Sequence, residues 1–305
     1  MTEVGLIAAR FTHYATLVLV FGAYAYTNFG ANSSSVRLKL ERLAIASSLL
    51  LLVAAAAVLA TTVAGLGGSM ASLSDLTLWS AVIEETDFGR VWSARLVMGL
   101  ALVAISIAVS AHPATVVGHL GILVAGGLVA TVALTGHAQV EGGANGWLHR
   151  IADAIHLLAA AVWLGVLLPL LFLLRGQGPL RPPDDLGTTV TRLVAFHSIG
   201  LAAVIALVLT GIVNSWFLVG NLEQLFATTY GRMLLAKIGL FIIMVGLAAE
   251  NRLRLVPALA RNLVQGADPR ATLARLRLHI RGELALGMLI LLVVAVLGAI
   301  APAAA

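Results

Sequence analysis

The sequence predicts an all-α polytopic membrane protein, and three observations carry that prediction. Hydrophobic residues make up 60% of the 305-residue chain and charged residues only 11%. The mean hydropathy is +1.00, well outside the range of a soluble domain. The apolar residues fall in eight runs, each long enough to cross a hydrocarbon layer of about 30 Å as a helix. These runs are continuous rather than alternating, which argues against a membrane β-barrel.

The predicted spans lie near 4–27, 43–66, 89–110, 115–136, 149–174, 190–218, 231–255 and 280–301. The first is expected to stay in the mature chain, because it lacks a basic leader region and carries Glu3, Arg10 and His13. Three connections are basic. The first holds Arg37, Lys39 and Arg42, the 175–192 segment holds Arg175, Arg181 and Arg192, and the 252–281 segment holds seven arginines. They alternate with a 67–88 segment that has Asp75, Glu84, Glu85 and Asp87 but no Lys or Arg. By the positive-inside rule the basic connections face the cytoplasm and both termini lie outside it. Within 67–88, the residues around Trp79 read either as a short interfacial helix or as an ordinary external loop. GQGPLRPPDDLG at 176–187 reads as a flexible or polyproline-like hinge.

Two motif pairs recur at nearly one offset. His13 precedes Gly22 by nine residues, as His156 precedes Gly165, and FGRVWSAR from Phe88 matches YGRMLLAK from Tyr230. The offsets are 143 and 142 residues. They predict two tandem four-helix units, 1–140 and 141–305, in parallel orientation about an axis along the membrane normal. The same mapping sets Arg10 against Asp153, each three residues before its histidine, and predicts an ion pair across the axis. Arg95 and Lys237 also correspond, either facing inward or snorkelling outward.

Eight histidines and no cysteine limit the chemistry. Disulfides, thiolate metal sites and iron–sulfur clusters are excluded. His13, His137, His149 and His156 are all predicted near the outer face, a set suited to a borderline or soft metal ion, copper in either oxidation state included. Helix-to-helix hydrogen bonding is the alternative role for such residues. Met98 is the best-placed methionine for a Cu(I) ligand, with core packing as its alternative. On the inner side, His197 and Glu283 are candidates for a relay, against a packed polar residue and a local ion pair. The paired His13 and His156 also suit b-type haem ligation. There is no nucleotide-binding motif and no hydrolase triad, so neither an ATP-driven pump nor a hydrolytic enzyme is predicted. The +5 formal charge is explained by the inward-facing loops, without a nucleic-acid partner.

HLLAAAVWLGVLLPL from His156, LTGHA at 134–138, LTGIVNSWFLVG from Leu209, TTYGRMLLAKIGLF from Thr228 and NRLRLVPAL from Asn251 together resemble the CopD copper-resistance family. So do ARFTHYATLVLVFG at the start and FGRVW at Phe88. The resemblance implies a bacterial inner-membrane protein of eight helices that handles copper, usually as an importer, often beside a small periplasmic copper-binding protein, CopC. The family is more distantly similar to membrane haem proteins. The expected function is therefore copper import through a His-lined site between the two units, with a haem b redox protein as the alternative. A copper sensor or scaffold without transport is a third reading.

Overall fold

The computed structural model describes residues 2–28, 34–111, 115–135, 142–175 and 186–304. It is helical, without strands among those residues, and eight of its helices are long and apolar enough to cross a membrane. They are α1 (Thr2–Asn28), α2 (Ser34–Leu66), α4 (Asp87–Ala111), α5 (Thr115–Thr131), α6 (Gly143–Leu174), α7 (Leu186–Val219), α9 (Thr229–Glu250) and α11 (Arg270–Leu297). Two short helices, α3 (Leu76–Glu85) and α8 (Leu222–Ala227), precede α4 and α9. A π-turn at Asn251–Leu255 leads from α9 into α10 (Val256–Gln265), so this element runs unbroken from Thr229 to Gln265.

The helices reach further than the apolar runs. Arg37, Lys39 and Arg42 belong to the first turns of α2, and most of the basic 252–281 segment is helical. These residues are turns of helix beyond the apolar run rather than open loops. The residues around Trp79 form α3, with Asp75 capping it by accepting from the Thr77 and Leu78 amides. The 176–185 part of the expected hinge lies outside the described residues.

Helices α1 and α6 form the centre. Helix α1 packs on α2, α5, α6 and α11, and α6 packs on α1, α5, α7 and α11. Helix α6 buries Trp163, Leu164, Val166, Leu167, Leu170 and Leu171. The outer ring presents Val53, Leu100, Leu123, Ile212 and Ile242, all more than half exposed, as a lipid-facing surface should.

Gly22 and Gly165 meet where α1 packs on α6. A Cβ added to Gly22 would sit 2.0 Å from the Gly165 carbonyl oxygen, and one on Gly165 would sit 2.8 Å from the Gly22 Cα. Only two glycines allow this approach. Pro169, four residues on, has no N–H to donate to the Gly165 carbonyl. That freed oxygen is the atom turned toward Gly22.

The glycines of the two aromatic-Gly-Arg motifs are explained in the same way. A Cβ on Gly89 would strike the Val82 carbonyl at 2.0 Å, and one on Gly231 would strike that of Leu225 at 2.3 Å. At each place a threonine closes the corner. Thr86 Oγ1 donates to Val82 O and accepts from the Gly89 amide, and Thr228 Oγ1 does the same with Gln224 O and the Gly231 amide.

Candidate functional site

Two groups of polar side chains in the interior lie beside α1 and α6. The first surrounds His13, which is 2% exposed. Its ring lies 5.1 Å from that of Trp92, and neither ring nitrogen makes a well-formed hydrogen bond. A cavity of about 30 Å³ opens beside it, lined among others by Arg10, Tyr14, Val58, Trp92 and Arg95. That is room for a water molecule or a single ion.

Arg95, 3% exposed, crosses this region inward rather than snorkelling. Its Nε donates to Thr131 Oγ1 at 3.0 Å, and one terminal nitrogen donates to Thr131 O and Thr135 Oγ1 at 2.6 and 2.7 Å. Its guanidinium lies 4.5 Å over the Trp92 ring, a cation–π contact. These neutral acceptors take the place of a counter-ion. Thr131 ends α5 and Thr135 closes the 3₁₀ turn 132–134 that follows, so both reach the guanidinium from one helix end.

The second place is on α6. His156 Nδ1 lies 3.0 Å from Thr210 Oγ1 on α7. The threonine hydroxyl has one hydrogen and gives it to the Ala206 carbonyl. It therefore accepts from His156 Nδ1–H, which leaves the lone pair of the imidazole on Nε2. One turn away, Asp153 Oδ1 accepts from Asn214 Nδ2 at 3.1 Å. Lys237, Tyr230 and Tyr14 are its electrostatic neighbours. His149, 2% exposed, stacks on Phe217 with ring centres 4.7 Å apart.

Two expectations are corrected by this geometry. Arg10 does not pair with Asp153. It donates to the Gly298 carbonyl at the end of α11, whose unsatisfied C-terminal carbonyls attract a cation. Asp153 instead faces Asn214 and the charge of Lys237. Nor do His13 and His156 face one another across an axis, since the first turns to Trp92 on α4 and the second to Thr210 on α7. Met98 is half-buried with its methyl group against Gly127 of α5, a packing position.

Among the described residues no three His, Asp or Glu side chains are grouped to hold a metal ion. His137, the fourth predicted ligand, lies outside the described residues. On the inner side His197 is half-buried and its carbonyl accepts from Arg252 at 3.3 Å. Glu283 is 3% exposed and accepts from Asn251 Nδ2 at 2.6 Å, not from an arginine.

Residues 1–147 match the family model described as Copper resistance protein D-like, N-terminal domain, and residues 190–297 match that described as Copper resistance protein D. The chain is 29% identical to Copper resistance protein D of Pseudomonas syringae pv. tomato, over 97% of this chain and 96% of that one. It is 30% identical to Inner membrane protein YebZ of Escherichia coli (strain K12), over 97% and 98%. It is also 30% identical to Copper transport protein CutJ of Bacillus subtilis (strain 168), over 80% of this chain and 46% of that protein. No solved structure matches it.

Proposed function

This chain belongs to the copper resistance protein D family, and from that premise we propose that it carries copper across the bacterial inner membrane, from periplasm to cytoplasm. The names of its relatives describe copper resistance and copper transport rather than catalysis. One of them is named an inner membrane protein.

The observation that carries the reading is a pair of imidazoles, His13 buried and His156 half-buried, with ligand capacity to spare. Neither ring nitrogen of His13 makes a well-formed hydrogen bond beside an ion-sized cavity, and His156, bonded through Nδ1 to Thr210, keeps its lone pair on Nε2 one turn from Asp153. A neutral imidazole suits copper in either state, and Asp153 would offset the charge of an arriving cation. His149 and His137 would receive the ion at the outer mouth. Inward passage of a cation gains about 2.3 kcal/mol per charge per 100 mV of membrane potential. In this reading both termini are periplasmic, and the tandem units 1–140 and 141–305 each contribute one histidine. A periplasmic copper-binding protein of the CopC kind would deliver the ion.

A haem iron bridging His13 and His156 is not favoured by this geometry. The two rings turn to different helices, and the cavity at His13 has no room for a macrocycle.

The test is copper uptake into proteoliposomes holding only this chain. Uptake is expected in the wild type and its loss in His156→Ala, with equal protein in the membrane. Uptake that survives the substitution would sink the assignment of His156. Absence of uptake in the wild type would favour a sensor or scaffold.

A further inference from the structure

Glu283 is a carboxyl group buried in a membrane-spanning helix, and its neighbours are neutral. Asn251 Nδ2 donates to Oε1 at 2.6 Å from the π-turn, and the Trp163 indole of α6 lies against the same carboxyl. No lysine or arginine among the described residues pairs with it. The surrounding charges are all engaged elsewhere or exposed. On α11, Arg277 donates to the Leu174 carbonyl and Arg281 is exposed. At the inner end of α9, Glu250 pairs with Arg275 at 3.0 Å, and in the π-turn Arg252 bonds the His197 carbonyl while Arg254 is exposed. A bare carboxylate in such a setting costs several kcal/mol, so the group either holds a proton or meets a cation.

Glu283 shares one amide with a titratable ring nearer the inner surface, and the amide positions both groups without itself carrying a proton. Asn251 Oδ1 lies 3.1 Å from His279 Nδ1, so one amide touches Glu283 through its nitrogen and His279 through its oxygen. His279 and Glu283 stand four residues apart and share a face of α11. His279 is half-buried and stands within the basic 252–281 segment. The amide is presented by the first residue of a π-turn, a distortion that concentrates at functional sites.

We propose that Glu283 is a protonatable cation gate, exchanging its proton with the cytoplasm through His279 and held in place by Asn251. At rest the carboxyl is neutral. As a copper ion arrives from the outer half, the proton leaves by way of His279, and the carboxylate so formed faces the cation until it passes inward. The proton is then regained from the same side. No net proton crosses the membrane, and only the inner pH governs the rate. The inference rests on the copper-transport reading for its cargo, but the proton site itself is independent of it.

The experiment has two arms on the full-length chain. In proteoliposomes with lumen and bath buffered separately, copper uptake rises with pH on the face bearing the 252–281 segment and ignores pH on the other. Glu283→Gln, permanently neutral and nearly isosteric, lowers uptake by an order of magnitude and flattens the response. The second arm needs no transport. Infrared difference spectra of purified protein show a protonated-carboxyl band that is absent in Glu283→Gln. In His279→Gln the band remains, but its exchange in heavy water slows by an order of magnitude. A missing band in the wild type, or a Glu283→Gln variant with wild-type uptake and pH response, overturns the gate. A wild-type chain that shows the band but carries no copper overturns the transport reading alone.

Discussion

Gly22 and Gly165 touch backbone to backbone, with the Gly165 carbonyl over Gly22 and no side chain between α1 and α6 at that level. Each glycine follows its histidine by nine residues. The contact therefore fixes where His13 and His156 stand relative to each other, two and a half helical turns further out.

Gly165→Leu should force the two central helices apart. The cost is expected at or above the upper end of the 1–3 kcal/mol typical of overpacking, about 3 kcal/mol. Thermal unfolding in detergent should show it as a clear loss of stability. Gly239→Ala is the contrasting case, because a Cβ there meets nothing within 4 Å. It should be neutral or stabilise by up to about 1 kcal/mol.

Thr210→Val should leave His156 in place but without its acceptor. The Nδ1–H then loses its partner, at a cost of about 1–3 kcal/mol, and the tautomer is no longer fixed. Loss of such a supporting hydrogen bond weakens metal binding about 10–100-fold. A copper titration of the purified variant measures this, and an unchanged affinity would remove His156 from the ligand set.

Arg95→Lys should not substitute for arginine. The guanidinium serves Thr131 and Thr135 through two nitrogens while lying flat over Trp92, and an ammonium cannot reproduce that fork. We expect a loss of about 1–3 kcal/mol in unfolding free energy, the cost of leaving buried polar groups unsatisfied.

Met98→Leu should leave copper uptake intact and change stability by less than about 1.5 kcal/mol, as volume-conserving core exchanges do. Reduced uptake with normal stability would assign Met98 as a ligand.

The eight spans were legible because each is a long apolar run, and lipid imposes helix on such a run. Their ends were less so, since helical turns such as those of α2 with Arg37 and Lys39 continue beyond the apolar stretch. The glycines of the motif pairs, read from the sequence only as marks of a repeat, stand at close contacts at Gly22, Gly165, Gly89 and Gly231. The partners of charged residues were not legible. Equating Arg10 with Asp153 assumed equivalent neighbours, but α1 lies beside the C-terminal end of α11, while Asp153 faces Asn214. The link from Asn251 to Glu283 joins residues 32 apart through a π-turn that leaves no mark on the hydrophobic pattern.

That π-turn also makes the chain sensitive to length in one short stretch. Each residue advances a helix by about 100°, and a π-turn accommodates one residue more than an α-helix would. Deleting a single residue between Arg252 and Leu255 would let the segment relax into ordinary helix and would redirect the side chains of the turn itself, while α9 and α10 keep their register. The fold could absorb so small a change, yet Asn251 would swing off Glu283. A one-residue deletion there would resemble a point mutation at a distant carboxyl, while the same deletion in the Gly266–Pro269 turn would not.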